Sequence, residues 1–308
     1  MTRNGNRTLS RRRFLSVTAP LPAMWLAAGG GRTPMMRDTA RSKKSPAEPS
    51  YVALHASGEL GRRAEELKAH YTSCSLCPRD CRVNRSLGEL GICRAPAQVR
   101  VSSAFAHYGE EPPLVGTGGS GTVFLAHCGL RCVYCQNWTI SIEGHGELAT
   151  ERQLADAMLG LQRQGCHNIN FVTPTHYVPS IVAALGLAVP RGLRLPLVYN
   201  TGGYEKADIL RLLDGVFDIY LPDFKYWDPE KAARLSAEAY NYPHYARDAF
   251  REIHRQVGVL VTDTRGVAVR GLMVRHLVLP GRAAGTKEVF RFIAKELSPD
   301  HYVNVMRQ

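Results

Sequence analysis

After residue 120, short apolar runs alternate with longer segments whose apolar residues recur at helical spacing. Short apolar runs are typical of buried strands, and the 3.6-residue spacing predicts helices. Strands and helices that alternate in this way form βαβ units and a parallel sheet, so the predicted fold class is α/β. Six strands favour a partial (βα)6 barrel of the TIM type over a complete barrel of eight. The predicted strands are 122–126, 168–172, 196–199, 218–221, 272–279 and 302–306, and the predicted helices are 150–164, 178–188, 206–213, 245–256 and 286–297.

The rest of the domain organisation follows from changes in composition along the chain. Residues 1–31 are interpreted as a leader, and residues 32–57, which are rich in Pro, Ser and Lys, as a linker. Residues 58–100 combine an amphipathic helix at 58–71 with a loop-rich module that contains four cysteines. Residues 101–308 make up the predicted barrel.

The leader contains three consecutive arginines. Arg11, Arg12 and Arg13 precede a weakly apolar run at 17–28 and a stretch of small residues, which looks like a twin-arginine export signal. The run is shorter than the roughly 20 residues that span a bilayer, and no other segment qualifies, so we expect no membrane span in the mature chain. The signal predicts export to the periplasm; a chain whose leader is not used stays in the cytoplasm.

Charge argues against a nucleic-acid partner. The net charge is +12, but ten Lys and Arg against two acidic residues within residues 1–50 account for +8 of it. The remaining 258 residues carry only +4. A domain with so small an excess lacks the basic surface that phosphate backbones require, so we expect no nucleic-acid binding.

Cysteines carry the candidate chemistry. Cys128, Cys132 and Cys135 follow the first predicted barrel strand with the spacing C-x3-C-x2-C. Three thiolates within eight residues can converge on one metal centre. A closed zinc site takes four ligands, whereas a 4Fe-4S cluster held by three thiolates leaves one iron open to a small molecule. A zinc site completed by His127, or oxidised thiols in an exported protein, is the alternative.

The motif resembles the signature of radical S-adenosylmethionine (SAM) enzymes, with Tyr134 in the aromatic position before the third cysteine. Further ordered motifs resemble the uncharacterised branch related to pyruvate formate-lyase activating enzyme. They lie at 74–81, 116–122, 135–137, 168–176, 199–204, 218–225 and 275–281.

This resemblance implies a 4Fe-4S cluster on the three cysteines and SAM at its open iron. It implies reductive cleavage of SAM to a 5′-deoxyadenosyl radical, which removes hydrogen from an unknown substrate. The enzyme would need an electron donor, and its substrate could be another protein, as for an activating enzyme. Two alternatives keep the same fold: a non-catalytic iron–sulfur or zinc protein, and an electron-transfer protein with two clusters.

Polar residues at the strand ends are candidates for SAM binding. Thr175 follows the second predicted strand, Asn200 and Thr201 end the third, and Asp223 and Lys225 follow the fourth. A barrel presents its ligand groups at these strand ends. The resemblance implies that Asp223 and Lys225 meet the carboxylate end or the ribose of SAM, and the Thr175 hydroxyl can accept a hydrogen bond from its ammonium. A helix cap for Thr175 and an ordinary ion pair for Asp223 and Lys225 are the alternatives.

Four more cysteines lie upstream, with the spacing C-x2-C-x3-C-x11-C. They are Cys74, Cys77, Cys81 and Cys93. Four such ligands suit a tetrahedral zinc site or a second iron–sulfur cluster, and in an exported protein they also suit two disulfides. Cys166 stands apart from both groups and is interpreted as a buried core thiol.

Overall fold

The computed structural model describes residues 48–307 of the chain. The predicted leader at 1–31 and the first part of the predicted linker lie outside these residues. The helices are α1 Ser50–Ala56, α2 Glu59–Ala69, α3 Pro112–Val115, α4 Trp138–Ser141, α5 Glu151–Arg163, α6 Val178–Ala188, α7 Ala207–Leu212, α8 Pro229–Leu235, α9 Tyr242–Val257 and α10 Thr286–Phe292. The strands are β1 Arg100–His107, β2 Ser120–Leu125, β3 Glu147–Leu148, β4 Ile169–Val172, β5 Leu197–Thr201, β6 Ile219–Phe224, β7 Val261–Thr262, β8 Ala268–Val278 and β9 Tyr302–Arg307.

Short 3₁₀ turns and one π turn complete the secondary structure of the described residues. The 3₁₀ turns are Arg85–Leu87, Thr175–Tyr177, Val189–Arg191 and Pro280–Arg282, and the π turn Ile293–Leu297 continues α10.

Within the described residues, nine strands form one mostly parallel sheet. The strands β2, β4, β5, β6, β8 and β9 pair in parallel in that order. These are the six strands that the apolar runs predict, and they confirm the α/β class. The antiparallel strands β1 and β3 extend the β2 edge, and β7 pairs antiparallel with β8.

Strands β2, β4, β5 and β6 are buried because helices cover them, which is why they consist of nearly continuous apolar runs, whereas no residue of the last parallel strand, β9, is fully buried. All five residues of β5 are buried, and the Tyr199 and Tyr220 side chains have no exposed surface. Helix α5 begins at the predicted cap, where Thr150 and Gln153 form a reciprocal capping box. Strand β1 escapes prediction because its side chains are half-buried or exposed and their polarity does not alternate cleanly.

The linker prediction is wrong for residues 50–56, which form helix α1. Tyr51 is fully buried and its hydroxyl donates to the Leu195 carbonyl over 2.8 Å. The Ser50 amide donates to Asp218 Oδ1 over 3.2 Å. These contacts are with residues far along the chain, so the local composition of the segment carries no trace of them.

Helix α2, by contrast, lies within the predicted range 58–71 and packs against α6. No helix of residues 48–307 has both the length and the apolar character that crossing a bilayer would require.

Candidate metal and cofactor site

The candidate ligand residues lie together at the carboxyl ends of the parallel strands. The in-register pairing of β2, β4, β5, β6 and β8 brings these ends to one edge of the sheet. An open cavity of about 170 Å³ lies there. Its lining includes Cys128, Cys132, Cys135, Asn200, Thr201, Asp223 and Lys225. Seven of the predicted residues therefore surround one space, although they come from three separate segments of the chain.

The loops that carry the cysteines adopt a conformation that L-amino acids rarely take. Nine non-glycine residues of the described chain have positive φ, and five of them directly adjoin a cysteine. The five are Asp80, Arg82, Arg94, His127 and Arg131, with φ of 43°, 58°, 64°, 75° and 49°. Each such residue costs roughly 1–2 kcal/mol, which the surrounding contacts must offset. Backbone strain of this kind is a feature of sites where side-chain direction matters.

Hydrogen-bond donors surround the three thiols. The Ser236 hydroxyl donates to Cys132 Sγ over 3.0 Å, and Ser141 Oγ lies 3.0 Å from Cys135 Sγ. Burial and the neighbouring Cys132 raise the pKa of Cys128 to about 12, while the amides of the following loop act in the opposite direction. Donors to sulfur stabilise a thiolate and tune the potential of a bound cluster.

Tyr134, the aromatic residue of the motif, contributes to this environment through a chain of hydroxyl groups. Its hydroxyl pairs with that of Tyr226, and Tyr226 OH lies 2.8 Å from Ser236 Oγ. Ser236 in turn donates to Cys132. The aromatic position is thus linked to a cysteine sulfur through two further side chains.

Asp223 and Lys225 form an ion pair that faces the cavity. Lys225 Nζ lies 2.6 Å from Asp223 Oδ2, and the side chains are 12% and 17% exposed, respectively. Burial alone would lower the pKa of Lys225, but Asp223 and Cys132 raise it, so the ammonium stays charged. The ion-pair interpretation and the ligand interpretation are therefore compatible, because the pair itself lines the cavity.

Thr175 lines a neighbouring small cavity of about 20 Å³, which it shares with Cys77, Cys93, Cys128 and Thr201. Its hydroxyl donates to Glu205 Oε1 over 2.6 Å. A lone pair of the Thr175 oxygen is left as an acceptor.

Sequence reasoning missed Glu205, although the side chain is fully buried beside two candidate residues. Its carboxylate also accepts hydrogen bonds from Tyr199 OH over 3.1 Å and from the Thr201 hydroxyl. Burial nonetheless raises the pKa of Glu205 to about 7, because three neutral donors do not replace the lost hydration of a charge. The sequence signal for Glu205 was its position, because it is an acidic residue four positions after Thr201, the polar end of the buried strand β5.

Arg275 was also missed. It lines the main cavity, and its Nη1 lies 3.4 Å from Asn200 Oδ1. Glu111 holds it by two bonds of 2.5 and 2.6 Å, and Glu110 forms a third. The signal in the sequence was a charged residue inside the apolar run of β8.

Two histidines of the resemblance motifs have structural roles. His176 is buried, and burial lowers its pKa to about 3. Its Nε2–H donates to the carbonyl of Ala126 over 2.9 Å, and Ala126 lies two residues before Cys128. His276 is satisfied by Phe224 O and Thr286 Oγ1 over 2.8 and 2.9 Å.

The upstream cysteine module packs directly on the loop that carries Cys128, Cys132 and Cys135. All eight cysteines are free thiols, with Cys74, Cys93, Cys132 and Cys166 buried. Arg79 ties the module down: it donates to the Gly129 carbonyl over 2.8 Å and to the carbonyls of Ala237 and Ser236 over 2.6 and 2.9 Å.

No three His, Cys, Asp or Glu side chains in the described part of the chain are grouped so that they could share a single metal ion. Thiolates around one tetrahedral zinc lie roughly 3.8 Å apart, given Zn–S bonds of about 2.3 Å. A four-iron cube attaches each thiolate to a different iron and spreads its ligands more widely. Either centre would bind the sulfurs as thiolates, and Cys128, Cys132 and Cys135 all line the main cavity.

Comparison with known proteins gives two relatives from one archaeon. No protein-family model matches the chain. The uncharacterized protein MJ0674 of Methanocaldococcus jannaschii is 33% identical over 259 residues, which cover 81% of this chain and 69% of that protein. A second uncharacterized protein of the same organism, MJ0808, is 25% identical over 165 residues, which cover 48% of each chain.

Proposed function

We propose that this chain, which belongs to the family of the uncharacterized protein MJ0674 of Methanocaldococcus jannaschii, is a radical SAM iron–sulfur enzyme. In this proposal the six parallel strands are a partial (βα)6 barrel, and the cavity at their carboxyl ends is the active site. The substrate is a molecule with a carbon–hydrogen bond to be broken, and another protein is the substrate class that the resemblance favours.

One observation carries the proposal. The three thiols of the C-x3-C-x2-C loop line a single cavity together with a buried ion pair and two polar residues from the next strand ends. Three thiolates complete the ligand set of a cluster with one open iron, and the polar groups of the same cavity suit a zwitterionic nucleoside.

The residues that would hold the cluster are Cys128, Cys132 and Cys135. A bound cluster would supply the one-electron chemistry for reductive cleavage of SAM, and the electron would come from an external donor. The hydroxyl groups of Ser236 and Ser141 stabilise negative charge on two of the sulfurs.

The other residues orient SAM and exclude water. The Lys225 ammonium is available to a carboxylate, and the Asp223 carboxylate to an ammonium or to ribose hydroxyls. Glu205 fixes the hydroxyls of Thr175 and Thr201 and so holds two strand ends in one position. Burial of the ion pair keeps competing water from both partners.

The test is SAM cleavage by chain that is reconstituted with iron and sulfide under anaerobic conditions. We expect 5′-deoxyadenosine to form on addition of dithionite in the parent and in the Cys166→Ala control, which removes a buried thiol far from the cavity. Cys132→Ala should lose both iron and cleavage. Cleavage that persists in Cys132→Ala, or iron-loaded parent that leaves SAM intact, would refute the proposal; the second outcome is that of a non-catalytic iron–sulfur protein.

A further inference from the structure

We propose that Arg94, Arg100 and Arg131 bind the phosphate group of a small organic phosphate monoester, in a groove outside the main cavity. This inference goes beyond the proposed function and does not require it. None of the residues that line the groove also lines the main cavity.

The groove is a large open space of about 970 Å³. It is lined by residues of the upstream cysteine module and by His127 and Arg131, which belong to the loop of the other three cysteines. Cavities of about 300–1,000 Å³ accommodate whole small molecules. The groove therefore has room for a ligand larger than a single anion.

Backbone contacts place two of the basic side chains next to each other. The Ala126 amide donates to the Arg100 carbonyl over 3.0 Å, so His127 follows directly after a residue that is bonded to the start of β1. A Cβ on Gly144 would lie 2.3 Å from Cε1 of His127, so the imidazole ring packs closely on a glycine of the same groove. Burial lowers the pKa of His127 to about 4, and the positive charges of the three groove arginines act in the same direction.

The charges of this groove lack counter-ions. Within the described residues, no carboxylate lies within ion-pair distance of Arg94, Arg100 or Arg131. Arg100 Nη1 donates to the Gly146 carbonyl over 3.2 Å. Arg100 Nε, Arg131 Nη1 and His127 Nδ1 are buried and have no hydrogen-bond partner. Unpaired cations that line one groove repel each other, and an anion bound there would offset this repulsion.

The charge of the groove favours a dianion. Among the described residues that line it, Glu143 is the one carboxylate, and its side chain is 46% exposed. Three guanidinium groups and one carboxylate leave a net charge of +2. A phosphate monoester carries about −1.5 to −2 at pH 7, whereas a carboxylate carries a single charge. The planar guanidinium group also binds two phosphate oxygens at once.

Apolar side chains in the same groove indicate an organic body on the phosphate. Leu90 and Ile92 are 47% and 43% exposed and line the groove together with Val83 and Ile142. Exposed apolar side chains gain free energy when a ligand covers them. A monoester with a ring or an alkyl chain would cover them, and inorganic phosphate would not.

The first test is calorimetric titration of phenyl phosphate, inorganic phosphate and benzoate into the full chain. It is done in about 0.15 M salt, which screens long-range attraction beyond roughly 8 Å. We expect phenyl phosphate to bind more tightly than inorganic phosphate, and benzoate to bind about tenfold more weakly than phenyl phosphate. Benzoate that binds as tightly as phenyl phosphate, or phenyl phosphate that does not bind, would overturn the inference. SAM takes no part in this measurement, so its outcome is independent of the cleavage assay.

The second test assigns the binding to the groove. Arg131→Met and Arg94→Met should each weaken phenyl phosphate binding about tenfold. Because Arg94 is exposed, its variant keeps the test decisive if Arg131→Met does not fold. Arg152→Met, which changes an exposed arginine of α5 away from the groove, is the matched control and should bind like the parent.

Ile92→Ser separates the apolar contact from the charge. We expect it to weaken binding of phenyl phosphate and to leave binding of inorganic phosphate unchanged, because it removes apolar surface and no charge. Equal losses of phenyl phosphate affinity in Arg152→Met and Arg131→Met would mean general attraction to a basic chain and would contradict the proposal.

Discussion

Gly203→Ala tests whether the strand-end geometry of the candidate site is as tight as described. Gly203 follows β5 with φ of +76°. A Cβ at this position would lie 2.2 Å from the backbone carbonyl oxygen of Asp223. Because that atom belongs to the backbone of β6, no side-chain rotation relieves the overlap. Alanine must therefore push apart two strand ends that line the cavity.

Gly192 provides a matched control for the magnitude. It has φ of +94°, and a Cβ there meets no atom within 4 Å. Alanine with a positive φ lowers folding stability by roughly 1–2 kcal/mol at either position. The change in the entropy of the unfolded chain is the same for both variants and cancels in the comparison. Overlap with the β6 backbone adds about 1–3 kcal/mol at Gly203 alone.

The assay is thermal unfolding of both variants together with calorimetric titration of SAM into the anaerobically reconstituted chain. We expect Gly203→Ala to melt about 2–12 °C below Gly192→Ala, from a shift of roughly 2–4 °C per kcal/mol. SAM affinity should fall in Gly203→Ala and stay unchanged in Gly192→Ala. Equal losses of stability in the two variants, or unchanged SAM affinity in Gly203→Ala, would show that the strand ends are not tightly coupled.

Three further substitutions test single interactions of the site. The folded pKa of Glu205 is about 7 against an ordinary 4.5, so its ionisation opposes folding and stability falls as pH rises between these values. Glu205→Gln should remove about 3 kcal/mol of this pH dependence in urea unfolding, and identical slopes would contradict the assignment. Ser236→Ala removes a donor 3.0 Å from the Cys132 sulfur, so the reduction potential of the proposed cluster should become more negative. An unchanged midpoint potential in a redox titration argues against that contact. Lys225→Met leaves Asp223 without its ion-pair partner and should lower the free energy of unfolding in denaturant by about 3 kcal/mol. The double variant with Asp223→Asn should restore part of this loss. An unstable double variant would assign another role to Lys225.

Local patterns in the sequence determined most of the sheet. The six parallel strands coincide with six apolar runs, because a strand covered on both faces needs apolar residues at nearly every position. Helix α1 and strand β1 were not predicted in this way. Each depends on contacts with distant segments, such as the bond from Tyr51 to Leu195, and a segment of seven or eight residues is too short to carry a clear periodic record of such contacts.

The same distinction between local and tertiary information applies to the residues of the candidate site. The spacing of Cys128, Cys132 and Cys135 and the positions of polar residues at strand ends are local features, so the sequence alone indicated them. Only the tertiary structure joined Arg275 to Glu111, 164 residues away, and Arg85 to His176, 91 residues away. Charge balance inside a protein is a property of three-dimensional neighbours, because a buried ion interacts with whichever partner the fold brings close, at any distance along the chain.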